Sequence, residues 1–375
     1  MIPPIEDRAM DDSIGQILAA AALAPSGDNT QPVRFVVDAE GRTITLVLDP
    51  TRDPSPMNAG QRMARMAAGA SLENLVRAAE ALGLGVEIGA GTGDAVGVVR
   101  LSGDARTGPG PDAALLARVT NRRPYDGRPV AADVLDRLGR ATPPIDGVTT
   151  HWIVEGGRLA AFAALIGRAD AAMFGAPAMR NAFLSKVRFD RPRGDVVDEG
   201  LSIASLEVGA ADRLALRAMR RAPDRLLRLG GAGRVFAAKA RKLVSSASGL
   251  CLVVAPDGAP ATDVIVGRAL QRAWLALAKE GLAAQPMMSL PVLENVGDHG
   301  DDALQAGIGR AKLDALRLDF RALAPEIGGR RPAWLKRFGF APPPSGRTGR
   351  LPVDAMTSTS APLGNESRTA GVGVP

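Results

Sequence analysis

The run Pro25-Ser26-Gly27-Asp28-Asn29-Thr30-Gln31-Pro32 sets Ser26, Asp28, Asn29, Thr30 and Gln31 between two prolines. The prolines fix the ends of the segment, and Gly27 lets its backbone approach a ligand closely. A flat heterocycle with carbonyl and ring-nitrogen edges needs such a set of hydrogen-bonding partners. A helix-ending turn whose polar groups satisfy one another accounts for the same residues. A second run, RVTNRRPYDGRPV from Arg118 to Val130, gathers Arg118, Arg122, Arg123 and Arg128 with Thr120 and Asn121 just ahead of a helical stretch. Guanidinium forks and small polar groups suit a phosphate through charge-assisted, bidentate bonds, although arginine-rich turns without a ligand are common. Two further stretches are Gly281–Ser289 (GLAAQPMMS) and Ser345–Pro352 (SGRTGRLP); the latter, by itself, reads as tail.

Other chemistry is excluded by composition. Cys251 is the only cysteine, in an apolar strand-like run, so it reads as a buried thiol. Intrachain disulfides and cysteine-rich metal sites are therefore ruled out. His151 and His299 have no ligand-spaced partners, which leaves little material for a zinc site or a Ser-His-Asp triad. The balance of 46 basic and 40 acidic residues gives a net charge of +6. Most basic residues are interleaved with acids; the dense cluster runs from Arg213 to Lys242. Phe236 is its aromatic residue, so platforms for stacking bases are missing. A solvated helical face is the simpler reading, with an anionic ligand or membrane surface as the alternative. No apolar run approaches the ~18 residues needed to span a bilayer. The first residues lack a charged-then-apolar leader, so the expected location is cytoplasmic, without membrane or nucleic-acid partners.

The elements that must position these residues follow from periodicity. Residues 13–24 read as a helix ended by Pro25. VRFVVD and TITLVLD form a hairpin around Glu40-Gly41. Residues 60–82 form a second helix, stopped by Gly83, with strands at GVEIG and GVVRL. Residues 103–111 are a Gly/Pro/Asp-rich linker. From 130 the layout repeats as helix, loop and strand. GLCLVVA is a buried strand, and VGRALQRAWLALAKEGLAAQPMM parallels QRMARMAAGASLENLVRAAEALGLGVEI, each containing a Gly-Leu pair. An internal duplication is the expectation. It divides the chain into 1–110, 111–352 with a helical insertion at about 159–245, and a disordered tail over 353–375.

APSGDNTQPVRF resembles the loop signature of the nitroreductase-like flavoprotein superfamily. RVTNRRP resembles that family's opening phosphate-binding segment, GLAAQPMM its strand beside the flavin ring, and SGRTGRLP its closing basic residues. The resemblance spans almost the whole chain. It implies an α+β nitroreductase-like fold, with antiparallel or mixed sheets packed by long helices. It implies FMN as cofactor, held by Ser26, Asn29 and Gln31 from the loop, Arg118 and Thr120 on the phosphate, and Arg122 or Arg123 at the isoalloxazine edge. Backbone at Met288 and Ser289 would lie near N5, and Arg347 and Arg350 would close the phosphate site. Val33 stands where the family has tryptophan. Only the first half keeps the loop, and only the second keeps the arginine opening and the closing arginines. This resembles a subgroup in which one chain forms an intramolecular pseudo-dimer with a single site, a monomer in solution. The implied activity transfers hydride from NAD(P)H to a small acceptor such as a nitroaromatic or quinone, in ping-pong turnover, with no acid or base nameable. Flavin sequestration with little turnover is the main rival. Anion or nucleic-acid binding without flavin is the third reading.

Overall fold

The computed structural model describes residues 5–91, 94–106, 112–189, 199–229 and 231–359. The chain runs through α1 (Ile5–Ala22), β1 (Val33–Val37), β2 (Thr43–Leu48), α2 (Arg62–Ala81), β3 (Gly85–Gly89) and β4 (Ala95–Ser102). Next come α3 (Ala113–Ala117), α4 (Ala132–Ala141), β5 (Thr149–Ile153), α5 (Gly156–Gly175), α6 (Pro177–Lys186), β6 (Val187–Arg188) and β7 (Leu201–Ser202). They are followed by α7 (Ala210–Arg221), α8 (Asp224–Leu229), α9 (Ala232–Ser245), β8 (Gly249–Ala255), α10 (Pro260–Lys279) and β9 (Ala283–Pro286). The chain closes with α11 (Ser289–His299), α12 (Asp302–Ile308), α13 (Arg310–Leu323), β10 (Arg331–Gly339) and β11 (Thr357–Thr359). The fold class is α+β.

Two sheets organise the chain. In the first the order is β11-β1-β2-β4-β3, and in the second β5-β8-β10-β9. Setting β11 aside, each sheet takes its strands in the order first, second, fourth, third, with every pair antiparallel. The first sheet is buried on one face. Val33, Phe35 and Val37 of β1 alternate inward with Ile44 and Leu46 of β2, against α1 and α2. Its hairpin closes as expected: the Asp38 carboxylate accepts from Arg42 N at 2.7 Å, and Gly41 takes φ +66°. The second sheet is covered on both faces, so β8 has no polar alternation. Leu250, Leu252 and Val254 face α5 and α9, while Cys251, Val253 and Ala255 face α10.

The long helices α2 and α10, matched as equivalents in the sequence, pack on each other. They cross at Gly69 and Gly267, where a Cβ on either would run into the partner helix's backbone, the Val264 or the Met66 carbonyl. Buried polar pairs fix the register: Gln271 donates to Asn74 at 2.7 Å, and Arg65 pairs with Asp263 at 2.8 Å. The equivalent glycines that end these helices, Gly83 and Gly281, both have positive φ.

Three boundaries differ from expectation. Helix α1 begins at Ile5 rather than Ser13, because the preceding residues are adequate helix formers and a cap signal does not forbid an earlier start. The insertion is mostly helical but contains the short parallel pair β6–β7. The stretch 353–359, expected to be tail, is ordered: Val353–Met356 is a 3-10 turn, and β11 pairs parallel with β1, aligning Phe35 with Thr357. Backbone pairing with a hairpin edge ordered this stretch, and such pairing leaves no hydrophobic period to read. The tail beyond 359 and most of the 103–111 linker lie outside the described residues. Among the described residues no single helix is long and apolar enough to cross a membrane; α5 and α6 approach this together but are bent by 89°.

Candidate functional site

A cavity of about 1100 Å³ lies between the loop after α1, the turn from β9 into α11, the 346–350 segment and the helical insertion. The Ser26–Asn29 loop forms one wall. Its backbone is unusual: Asp28, Asn29 and Gln31 all have positive φ, at 44°, 57° and 50°. Left-handed backbone at residues with side chains is strained and persists only where surroundings enforce it, most often at ligand sites. Here Ser26 Oγ accepts from Gln31 N at 2.9 Å, and Arg52 donates to the Thr30 carbonyl at 2.8 Å.

One end of the cavity is cationic. Arg118, Arg347 and Arg350 all line it, and among the described residues none of them forms an ion pair. Arg118 is buried, donates to the Leu23 carbonyl at 2.9 Å, and stacks 4.8 Å from the Trp274 ring. Its Nε is buried without a partner. Burial, and then Arg350 and Arg347, push its pKa down to about 9. Arg350 donates to the carbonyls of Ala22 (3.0 Å) and Leu23 (3.2 Å) and to Asn29 Oδ1 (3.0 Å). Burial, then Arg347, lowers its pKa to about 10. Arg347, exposed at the rim, donates to the carbonyls of Leu116 and Arg118. Cations held on backbone carbonyls with no carboxylate nearby form an anion site.

The opposite wall is β9 leading into α11. Met288 and Ser289 line the cavity at the start of α11, where backbone N–H groups lack intrahelical acceptors. Ser289 is buried beside Asp170, whose pKa its hydroxyl holds down. Arg122 donates to the Ser205 carbonyl at 2.8 Å; burial lowers its pKa, opposed by Asp28, Tyr125 and Glu207. Asp28 is pushed up to about 6 by burial and by Asp53, which also lines the cavity and whose own pKa burial raises. The far end is apolar and aromatic: Phe174 stacks on Phe236 at 4.2 Å, with Phe183 edge-on at 5.4 Å to Phe174.

A planar, phosphate-bearing cofactor fits these donors. The partnerless Arg118 Nε suits a phosphate oxygen, the Ser289 hydroxyl lies on the same cavity wall as Met288, and the volume is just above the usual ligand-pocket range of ~300–1,000 Å³.

No family model matches the chain. An uncharacterized protein of Mycobacterium tuberculosis (strain CDC 1551 / Oshkosh) is 29% identical over 359 residues, covering 92% of this chain and 48% of that protein. The chain thus spans about half the length of this curated relative. A crystal structure of a nitroreductase with bound FMN from Bacteroides fragilis is 14% identical, covering 68% of this chain and 97% of its own, with a TM-score of 0.32. The FMN-dependent nitroreductase NfnB from Mycobacterium smegmatis, in complex with NADPH, is 17% identical, covering 69% and 96%, with a TM-score of 0.29.

Of the residues singled out in the sequence, Ser26, Asn29, Arg118, Thr120, Arg122, Met288, Ser289, Arg347 and Arg350 line this one cavity. Gln31 and Arg123 do not. Gln31 Oε1 instead accepts from Leu351 N at 2.9 Å, tying the loop to the C-terminal segment. Arg123 pairs with Glu207 at 3.5 Å and bonds Ser345 at 2.8 Å, which leaves Arg122 alone of the two on the cavity wall. The basic run 213–242 is a wall as well as a solvated face: Leu216, Met219, Phe236, Lys239 and Lys242 line the cavity. Sequence reasoning passed over Asp53, Asp170, Trp274 and Trp334, which also line it. Asp170 had a legible signal, a carboxylate on the otherwise apolar face Leu159, Phe162, Ile166, Met173 of α5.

Proposed function

We propose that this chain binds one FMN in the cavity and works as an NAD(P)H-dependent oxidoreductase acting on a small organic acceptor such as a nitroaromatic or quinone. The observation that carries this reading is the cationic end without ion pairs, Arg118, Arg347 and Arg350, lining one large cavity together with the Ser26–Asn29 loop and the start of α11. Arg118, Arg350 and the rim residue Arg347, with Thr120, would hold the phosphate. Ser26 and Asn29 would meet one edge of the ring system, and the Met288–Ser289 backbone the other. Arg122 would stand at the N1–O2 edge, where a cation favours negative charge. Bound flavin supplies the redox chemistry, accepting hydride from the nicotinamide donor and passing electrons on to the acceptor in separate half-reactions. This chain's residues bind and orient; the aromatic end, Phe174, Phe183 and Phe236, offers a flat apolar berth for the acceptor.

The matching strand orders of the two sheets and the paired glycines at the α2–α10 crossing support the further reading of a duplicated chain that acts as its own dimer. Its one site takes the Ser26–Asn29 loop from the first half and the arginines from the second. Flavin bands in the visible spectrum and a stoichiometry of one flavin per chain are expected. Protein that is colourless and takes up no added FMN overturns the cofactor. Two flavins per chain, or one per two chains, overturns the single shared site. A second reading, flavin storage, is favoured by the apolar wall that Leu216, Met219 and Phe236 of the helical insertion add to the cavity. Yellow protein inert towards NADH and NADPH, with menadione or a nitroaromatic present, would select it.

A further inference from the structure

We propose that Asp170 hands a proton to the molecule reduced in this cavity, an inference that rests on the flavin reading above. Asp170 lies on α5 four residues after Ile166 and four before Phe174, on a face otherwise built of Leu159, Phe162 and Met173. That spacing turns its side chain into the cavity, where it is a lining residue together with Met173, Phe174 and Ser289. Among the described residues it forms no ion pair. It caps no helix, is only partly buried because it faces the cavity, and has the Ser289 hydroxyl rather than a cation beside it; a carboxyl held partly out of water without a cation is costly. What keeps it useful is its place. On one side is the Ser289 hydroxyl, its neighbour at the start of α11, where the redox-active edge of the cofactor is proposed to lie. On the other, one helical turn away, is Phe174 of the aromatic end, the proposed acceptor berth.

The charged groups on the elements packed against α5 leave Asp170 to itself. Glu294 of α11 is spent on Arg317 and Arg321, Asp319 of α13 on Arg168, Arg180 of α6 on Asp224, and Asp302 of α12 on Arg310. Lys239 and Lys242 of α9 line the same cavity without pairing to it. Burial, opposed only by the Ser289 hydroxyl, lifts the Asp170 pKa to about 7, so near neutral pH it carries a proton about half the time. That is the poise a proton donor needs.

The balance is complete for a quinone-type acceptor. One hydride, originating from NAD(P)H, brings two electrons and one proton. The O–H bond of Asp170 breaks as the second O–H bond of the hydroquinone forms. The carboxylate left behind regains its proton from water entering the cavity once product leaves.

Asp170→Asn tests this. In wild type, acceptor-dependent kcat should fall as pH rises through about 7; in D170N it should be lower by roughly 10²-fold or more and lose that inflection. FMN affinity should stay within a few-fold. A second readout needs neither activity nor flavin: pH-difference infrared spectroscopy of the apo protein should show a carboxyl titrating near neutrality that disappears in D170N. Ser289→Ala should move that titration to higher pH. An unchanged pH profile in yellow D170N protein, or a near-neutral carboxyl band that survives the substitution, overturns the role of Asp170 while leaving the flavin reading intact. Failure of wild type to take up FMN overturns the flavin reading and the proton transfer built on it, even where the band vanishes in D170N.

Discussion

Arg118→Ala should uncouple cofactor binding from stability. In the apo fold Arg118 makes one hydrogen bond, to the Leu23 carbonyl at 2.9 Å, and one cation–π contact with Trp274 at 4.8 Å. Against these stand burial and two neighbouring guanidiniums, which bring its pKa down from the ordinary guanidinium value to about 9. A cation whose folded pKa lies below its unfolded value opposes folding at every pH below the folded value, so at pH 7 the charge is destabilising. At ~1.4 kcal/mol per pKa unit the ceiling is about 5 kcal/mol, and water in the cavity brings the effective figure to about 2. The hydrogen bond and the cation–π contact return about 1 kcal/mol each, so removing the side chain should leave apo stability within about 1–2 kcal/mol of wild type. Binding is another matter. Two charge-assisted bonds to a phosphate are worth about 1.5–3 kcal/mol each, so FMN affinity should fall roughly 10²–10⁴-fold. Riboflavin has no phosphate, and its affinity should hardly change. Fluorescence titration with both flavins reads the ratio, and calorimetry of apo protein reads stability. Arg118→Lys keeps the charge but not the fork and should fall between. Equal losses for FMN and riboflavin would refute the phosphate assignment. A drop in apo stability beyond about 3 kcal/mol with FMN affinity intact would show that Arg118 is structural.

Gly267→Ala should destabilise by about 1–3 kcal/mol or more, since the new Cβ meets the Met66 carbonyl across the helix crossing; an unchanged thermal midpoint would contradict that packing. Asp28→Asn should stabilise the apo protein at pH 7 by about 1–3 kcal/mol, because a carboxyl lifted to about 6 by burial and Asp53 opposes folding above that pH. That gain should vanish below about pH 4, where folded and unfolded carboxyls are both protonated, and a pH-independent gain in denaturant melts would exclude this origin. Lys336 is fully buried, bonded to the Leu270 carbonyl at 3.0 Å, and burial brings its pKa to about 8. Wild-type stability should therefore gain from this group as pH rises from 8 towards 10, and Lys336→Met should remove that dependence and raise the midpoint at pH 7. Parallel pH curves for the two proteins would count against it.

What could be read in advance follows from periodicity. The hairpin β1–β2, the strand β8 and the helices α2 and α10 each carry a local pattern, and each stands where that pattern placed it. The loop and arginine segments were legible because polar side chains at close spacing have few structural uses. What escaped was set by distant partners. Arg123 and Arg122 are chemically identical neighbours, and distant partners separate them: Glu207 and Ser345 hold Arg123, while the Ser205 carbonyl holds Arg122 on the wall. Gln31 looked like a ligand-facing amide but is spent on the Leu351 backbone. Asp53, Trp274 and Trp334 sit in stretches whose local sequence carries no site signal, and the fold alone brings them to the wall.

The C-terminal segment shows why tertiary structure decides the site. After β10 the chain leaves the second sheet, crosses the cavity mouth from Ser345 to Arg350, and adds β11 to the first sheet beside β1. Along that path Gly349 accepts from Asn29 at 3.3 Å, Leu351 donates to Gln31, and Arg350 caps the last carbonyls of α1 at Ala22 and Leu23. The first two bonds join the strained loop to the strap, and the Arg350 bonds join the strap to the end of α1. The loop's left-handed backbone and the strap's arginines therefore support each other: without the strap the loop loses the partners of Asn29 and Gln31, and without the loop Arg350 loses its anchor at Asn29 Oδ1. A cationic pocket of this kind gathers charges that repel, so the strap is held by backbone pairing and amide bonds rather than by ion pairs. An anion entering between Arg118 and Arg350 would relieve that repulsion and lock the strap. Removing the chain after Gly349 should consequently weaken FMN binding more than Arg350→Ala does, since it frees the loop as well as the arginine. Equal losses in the two variants, read by the same titration, would mean that β11 contributes nothing to the site.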